Sequence, residues 1–286
     1  MKTSLRRRLV NHAMQAIATL AAFAAVGLLG LMVASVAKRG AGSIDLNFFT
    51  KTPVPFAFTP VPTGLANAFV GTAVLVGVAT AIAVPVAVLT AIYLNEFAPP
   101  RVAMPIALAL DVLNGVPAIV VGIFVFALVV LKHGQSGLAG SFALSILMIP
   151  LIARATQEIL ALVPSSTRDA SLALGVSRWR TTLSIVLPQT IGGIVTGTTL
   201  AVARVAGETA PLLFTSSLVG DKLQADPRQA LASVPLKIFE YSESPDPKDH
   251  AQAWAAALVL IGFILVASLT ARALAARSRR RMGLGG

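Results

Sequence analysis

Apolar residues fall in six long runs along the chain, at 13–37, 65–94, 105–131, 138–153, 189–214 and 254–276. Not one charged side chain occurs between Lys51 and Glu96. About 20 consecutive apolar residues cross the hydrocarbon of a bilayer. Each run, the short fourth included, therefore predicts a transmembrane span. In hydrocarbon the backbone N–H and C=O groups find partners only within a helix or a closed barrel. The runs lack period-2 alternation and abound in alanine and leucine, which selects helices over barrel strands. The predicted fold class is an all-α membrane protein with six transmembrane helices. The first run follows Arg6, Arg7 and Arg8, and Ser35-Val36-Ala37 has the look of a cleavage site. Its length is about twice that of a signal peptide's apolar core, so a retained first helix is expected.

Two of the intervening stretches are long. Residues 38–64 hold Pro53, Pro55, Pro60 and Pro62 with Phe48, Phe49, Phe56 and Phe58, which reads as an extended segment at the membrane interface. Residues 215–253 carry six acidic and four basic side chains with Pro227, Pro235, Pro245 and Pro247. That stretch reads either as a cap or docking surface or as a solvated connector. No internal repeat is evident.

Composition agrees with the pattern. Of 286 residues, 56% are hydrophobic and 12% charged, with a mean hydropathy of +0.80. A soluble domain carries about twice that charge. The net charge is +11, a balance that suits nucleic acid or a membrane surface. The basic clusters at Arg6–Arg8 and at Arg277, Arg279, Arg280 and Arg281 flank apolar runs, and no basic groove interleaved with aromatics exists. Nucleic acid is therefore a poor partner, and the clusters read as topology anchors. With the N-terminus inside, the cytoplasmic face receives 14 basic residues: Lys2, Arg6, Arg7, Arg8, Arg101, Arg154, Arg168, Arg178, Arg180, Arg272, Arg277, Arg279, Arg280 and Arg281. The outer face receives eight: Lys38, Arg39, Lys51, Lys132, Lys222, Arg228, Lys237 and Lys248. Both termini are predicted to be cytoplasmic. There is no cysteine, which removes disulfides, thiol catalysis and cysteine metal sites. His12, His133 and His250 stand far apart in sequence, and no metal is assigned to them.

The stretch between the fourth and fifth runs is the most informative. It reads Asp169-Ala170-Ser171, three residues, Gly175, nine residues, then Ile185-Val186-Leu187-Pro188. Two short helices meeting at Gly175 are expected, the first capped by Ser165, Ser166 or Thr167 beside Pro164. Leu172, Leu174 and Val176 lie among Arg168, Asp169, Arg178 and Arg180, a half-apolar helix pair suited to a groove on a partner. Gly175 is expected to need either a backbone angle or a close approach that a side chain would block. The spacing resembles the coupling-loop signature of ABC importer permeases: Glu-Ala-Ala, three residues, Gly, nine residues, Ile-x-Leu-Pro. Asp169 stands for the glutamate and Ser171 for the second alanine; every spacing is kept. The resemblance implies a type I-like permease fold whose cytoplasmic coupling loop inserts into a separate ATPase. The chain has no G-x-x-x-x-G-K-[ST] loop of its own. Its glycine-rich stretch, Gly192 to Gly197, lacks lysine and suits close helix packing.

Three further stretches are similar to the phosphate-specific, PstA-type permease family, in order. They are Asp111-Val112-Leu113-Asn114-Gly115-Val116-Pro117, Ile152-Ala153-Arg154-Ala155-Thr156-Gln157-Glu158, and Arg204 through Glu208-Thr209-Ala210-Pro211-Leu212-Leu213-Phe214-Thr215. With Leu231 to Pro235 and Trp254, the resemblance covers about residues 60–270. It divides the chain into 1–60, a cytoplasmic segment with the first helix and an external loop; 61–276, the permease domain; and 277–286, a basic cytoplasmic tail. It implies a multi-pass inner-membrane subunit, not an enzyme, that translocates phosphate; sulfate or molybdate is the alternative. It further implies a PstC-type permease partner, a cytoplasmic ABC ATPase that uses ATP, and an external phosphate-binding protein. No cofactor is expected on this chain. Charges inside spans mark functional candidates. Arg204 and Glu208, four apart, are expected to share a helix face, with Thr209 beside them. A guanidinium fork suits phosphate, and a carboxylate accepts a hydrogen bond from protonated phosphate. The competing reading is an ion pair that only locks helices. Asp111 and Asn114 read as pathway residues or as polar glue between helices. Arg154 and Glu158 read as a charged cytoplasmic flank. A membrane enzyme acting on a lipid-linked substrate would need a denser polar site, and a passive channel has no use for the coupling loop.

Overall fold

The computed structural model describes residues 2–54, 63–216 and 221–281. Every regular element among them is helical. Five helices are long and apolar enough to cross a membrane, or six spans if one bent pair counts as a single crossing.

Helix α1 (Lys2–Gly40) holds the first predicted span. All its residues from Arg6 to Met32 are exposed. Near its end it is packed on the rest of the chain, where Val36 is buried and Arg39 lies over the Trp254 ring, 5.0 Å from its centre. Gly40 packs so closely there that a Cβ would sit 2.5 Å from the Trp254 carbonyl oxygen. The following stretch is not simply extended. Asp45 accepts a 2.7 Å hydrogen bond from the Phe48 N–H and caps a short helix, α2 (Leu46–Thr50). The cap is available because aspartate satisfies an open helix N–H, and burial of Phe48 against Phe69 holds the helix down. Pro55, Phe56, Phe58, Pro60 and Pro62 lie outside the described residues.

Helix α3 (Ala66–Ile92), prolonged by a wider turn over Tyr93–Phe97, packs lengthwise on the helix Gly137–Ala161, α7. Leu75, Ala79, Ala83, Ala87 and Ala91, four residues apart, are all fully buried. Small side chains let two backbones approach where apolar burial gives no preference over lipid. The third predicted span is broken. Helix α4 (Pro100–Gly115) ends at Val116, and α5 (Ala118–Val125) sets off at 99° to it, continuing through Phe126–Val130 into α6 (Leu131–His133). Pro117 is the cause. It disfavours helical angles in the residue before it, and Val116 takes φ −69, ψ 128.

Helix α7 (Gly137–Ala161) outruns the fourth predicted span by eight residues at its C-terminal end, and Ser136 caps it. The Ser141 hydroxyl donates to the Leu75 carbonyl at 3.0 Å, fixing α7 against α3. After the short helices α8 (Ser165–Ala173) and α9 (Arg178–Thr181), a wider turn over Thr182–Val186 leads into α10 (Leu187–Val205). The fifth predicted span also stops early. Residues 206–209 form a turn before α11 (Ala210–Thr215), which packs on α5.

The 215–253 stretch acts as a cap where described. Its helix α12 (Val234–Ser242) starts at Ser233 and is tied to α3, the Val234 N–H donating to the Thr72 hydroxyl at 2.9 Å. The Gly137 and Leu138 N–H groups donate to Gln229 and Pro227 carbonyls at 2.8 and 2.7 Å. A Cβ on Gly71 would lie 1.9 Å from the Ala232 carbonyl oxygen, so only glycine admits this contact. Lys237, almost wholly buried, pairs with Glu240 at 2.9 Å and lies near the Tyr241 ring. Burial, with Asp249, Glu240 and Asp221 nearby, pushes the Tyr241 hydroxyl well above its ordinary pKa. Helix α13 (Pro247–Arg281) closes the bundle against α10, α1 and α12. The N-termini of α3 and α7 thus share the capped end, and their C-termini share the end that carries α8 and α9.

Candidate functional site

The α8–α9 loop forms the helix pair expected of it. No side chain caps α8; Pro164 occupies that position, and Ser165, Ser166 and Thr167 fall in the first turn instead. Proline sets the entry angle without needing an N–H partner. The far end of α8 is a Schellman turn, with the Val176 N–H on the Ser171 carbonyl at 3.2 Å and the Gly175 N–H on Leu172 at 2.9 Å. Gly175 has φ +79 and open space around its Cα, so its backbone angle, not crowding, requires glycine. Ser171, the departure from the alanine of the signature, is buried and shares a 2.8 Å hydroxyl hydrogen bond with Thr181, joining α8 to α9. Leu172, Leu174 and Trp179 are exposed, Leu174 at 84%. Asp169 and Ala170 are exposed beside them. Ile185, Leu187 and Pro188 bracket the start of α10, where Val186 is fully buried.

Among the candidate charges, the structure joins Asp111 and Arg154 in an ion pair between α4 and α7. Arg154 also donates to the Ala107 carbonyl at 2.7 Å and to Gln157 at 3.1 Å. Arg154, read from the sequence as part of a charged cytoplasmic flank, lies within α7 and bridges it to α4, because α7 continues to Ala161. Glu158, one turn on, is exposed, and so is Asn114 beyond Asp111.

Arg204 and Glu208 are not joined. Helix α10 ends at Val205, the Glu208 N–H bonds the Val205 carbonyl at 3.0 Å in the turn, and the four-residue spacing no longer sets a common face. Arg204 is exposed and Glu208 half-buried, and no ion pair forms between them. Thr209 precedes α11 without capping it. The turn that separates them contains Gly207, a residue that holds a helix weakly.

The sequence reading passed over Glu96. It closes the extension of α3 and pairs with Arg168 of α8. Its one signal was its place as the first charge after a long charge-free run. No group of three or more His, Cys, Asp or Glu side chains that could hold a metal occurs among the described residues.

Residues 83–280 match the family of binding-protein-dependent transport system inner membrane components. The chain belongs to this family. A phosphate transport system permease protein PstA of Xylella fastidiosa (strain Temecula1) is 37% identical over 279 residues, covering 96% of this chain and 95% of that protein. The PstA of Yersinia pestis is 38% identical over 86% of this chain and 83% of its own length. PstA 1 of Mycobacterium tuberculosis (strain H37Rv) is 41% identical over 76% and 72%. Within the permease family the chain is of the PstA type. In three dimensions it resembles a chain of the MetNI methionine ABC transporter in an inward-facing form, with a TM-score of 0.59 at 14% identity over 75% of this chain and 95% of that one. A chain of an amino acid ABC transporter solved with histidines gives 0.51 at 17% identity, covering 76% and 92%. These two likenesses show the fold, that of ABC importer permeases. The chain is a multi-pass membrane transport component and not an enzyme.

Proposed function

We propose that this permease is one membrane half of an ATP-driven importer that carries inorganic phosphate into the cytoplasm, with a PstC-type subunit as the other half. The observation that carries the reading is the α8–α9 pair. It is a rigid, Schellman-closed helix pair with Leu172, Leu174 and Trp179 exposed on its tip, at one end of a bundle of apolar helices. An exposed apolar knob between basic residues fits a groove on a cytoplasmic ATPase subunit. That subunit binds and hydrolyses the ATP; this chain binds no cofactor. The capped end, at the opposite end of α3 and α7, then faces outward and receives a phosphate-binding protein. Both termini are cytoplasmic.

Phosphate rather than another oxyanion is supported by the names of the PstA relatives, at 35 to 41% identity. Arg204, exposed in the last turn of α10 with no carboxylate partner among the described residues, offers the donors for an anion. Glu208 and Thr209, in the turn that follows, stand where a protonated phosphate could donate to a carboxylate. Breaks in spanning helices, as here at 116–117 and 206–209, are a common setting for substrate sites. The test has two arms. A tagged chain expressed with its neighbours should co-purify an ATPase, and cells dependent on it should accumulate labelled phosphate but not sulfate or molybdate. Sulfate or molybdate uptake in place of phosphate would refute the substrate; absence of an ATPase would refute the importer.

A further inference from the structure

Arg168 lies in the first half of α8, and every nitrogen of its guanidinium is engaged. Nε and Nη2 fork onto the two Glu96 oxygens at 3.0 and 2.7 Å. Nη1 donates to the Val163 carbonyl at 2.6 Å, and Nη2 also to Leu160 at 2.9 Å. Those two carbonyls lie where α7 stops, and the last carbonyls of any helix lack partners within it. The Glu96 side chain is only 7% exposed, and Asn95 donates to it at 2.9 Å. One side chain thus joins three elements: α8, the end of α3 and the end of α7. The remaining packing at this end is apolar, with Leu160, Val163, Val186 and Ile92 clustered and the Phe97 ring near Trp179, while Arg178 of α9 places a second positive charge near Glu96. Apolar surfaces slide on one another at little cost. A forked guanidinium–carboxylate pair holds one geometry.

We propose that the Arg168–Glu96 fork is the mechanical linkage that makes the α8–α9 pair move as one body with α3 and α7, so that displacement of the loop by the ATPase reaches the translocation path. This inference rests on the permease reading given above. The docking tip formed by Leu172, Leu174 and Trp179 is separate from the fork. Loss of the fork therefore leaves docking in place and lets the loop move without the spans. ATP is then hydrolysed without transport. Lysine at 168 does not repair the linkage, because a single ammonium cannot hold the fork and both carbonyls in one arrangement.

The experiment uses the complete complex in lipid vesicles with its external binding protein, and reads phosphate uptake and ATP hydrolysis together. Glu96→Gln and Arg168→Lys complexes should hydrolyse ATP at close to the wild-type rate. Phosphate carried per ATP should fall roughly tenfold, within the usual range of coupling between sites. An unchanged ratio in both variants would overturn the linkage. A second measurement covers variants that do not assemble. The chain has no cysteine, so spin labels on Ser166→Cys and Tyr93→Cys are unique in this subunit. In the otherwise wild-type complex their separation should stay narrow and constant with and without nucleotide. A separation that changes with nucleotide would overturn the proposal. A wild-type complex that hydrolyses ATP but carries no phosphate would refute the substrate reading alone, since the label distance still judges the linkage.

Discussion

Gly175 shows how one residue sets the shape of the coupling loop. Its φ of +79 in open space means that a side chain there is strained without clashing. The left-handed angle costs an ordinary residue about 1–2 kcal/mol, and asparagine less. Gly175→Val should insert normally yet lose most ATPase association and uptake, whereas Gly175→Asn should keep most of both; co-purified ATPase per permease is the measure. Arg204 is the second residue of interest. The structure gives it no partner in Glu208, so a helix-locking pair is not what holds it. Arg204→Gln should leave abundance unchanged and cut phosphate uptake by at least about tenfold, the effect of losing roughly 1.4 kcal/mol of anion stabilisation. Arg204→Lys should recover little, and the double change Arg204→Gln with Glu208→Gln should recover nothing. Restored uptake in the double variant would point back to a structural pair. Residue identities were legible here, Gly175 most of all, because its place in a spaced signature and its freedom of angle point the same way. The shared face expected of Arg204 and Glu208 is not found, because a four-residue spacing implies one only while the helix lasts and α10 ends at Val205.

At the scale of elements, α3 and α7 form the spine. The buried row of Leu75, Ala79, Ala83, Ala87 and Ala91 leaves no room for added volume. Ala83→Leu should destabilise the subunit by about 1–3 kcal/mol, the usual cost of overpacking a tight core, visible as lower thermal stability in detergent. Leu89→Ala, on the exposed opposite side of α3, should be near neutral. Spans were legible as elements because hydrocarbon demands helices wherever charge is absent. Their ends were not. Hydropathy falls at Arg154, Thr156, Gln157 and Glu158 while the α7 backbone ladder runs on to Ala161, since hydrogen bonding and apolarity are separate conditions. Conversely, the third run stayed apolar through Val116 and Pro117 while the backbone turned by 99°. The proline was present in the sequence, but its effect was hidden by its apolar neighbours.

For the whole molecule, the charge asymmetry sets an orientation that can be tested. A reporter fused after Gly286 should be cytoplasmic, and one inserted near Asp246 should be external; the reverse at either site would place the coupling loop on the wrong side. Long-range pairings are the part that sequence could not supply. Glu96 meets Arg168 across 72 positions, and Asp111 meets Arg154, because packing of spans decides which charges face one another, and no spacing rule reaches that far. Helix α1 carries a different lesson. It is exposed from Arg6 to Met32, and its buried positions among the described residues are Val36 and Gly40. A membrane helix inserts as an independent unit before it packs. The folding energy of the remaining bundle is therefore almost indifferent to residues 6–32, which behave as a tethered passenger. A chain begun at residue 33 keeps the Val36, Arg39 and Gly40 contacts and should reach the same bundle with little change in melting behaviour, so the stretch from Arg6 to Met32 can vary in sequence without cost to this chain's own packing.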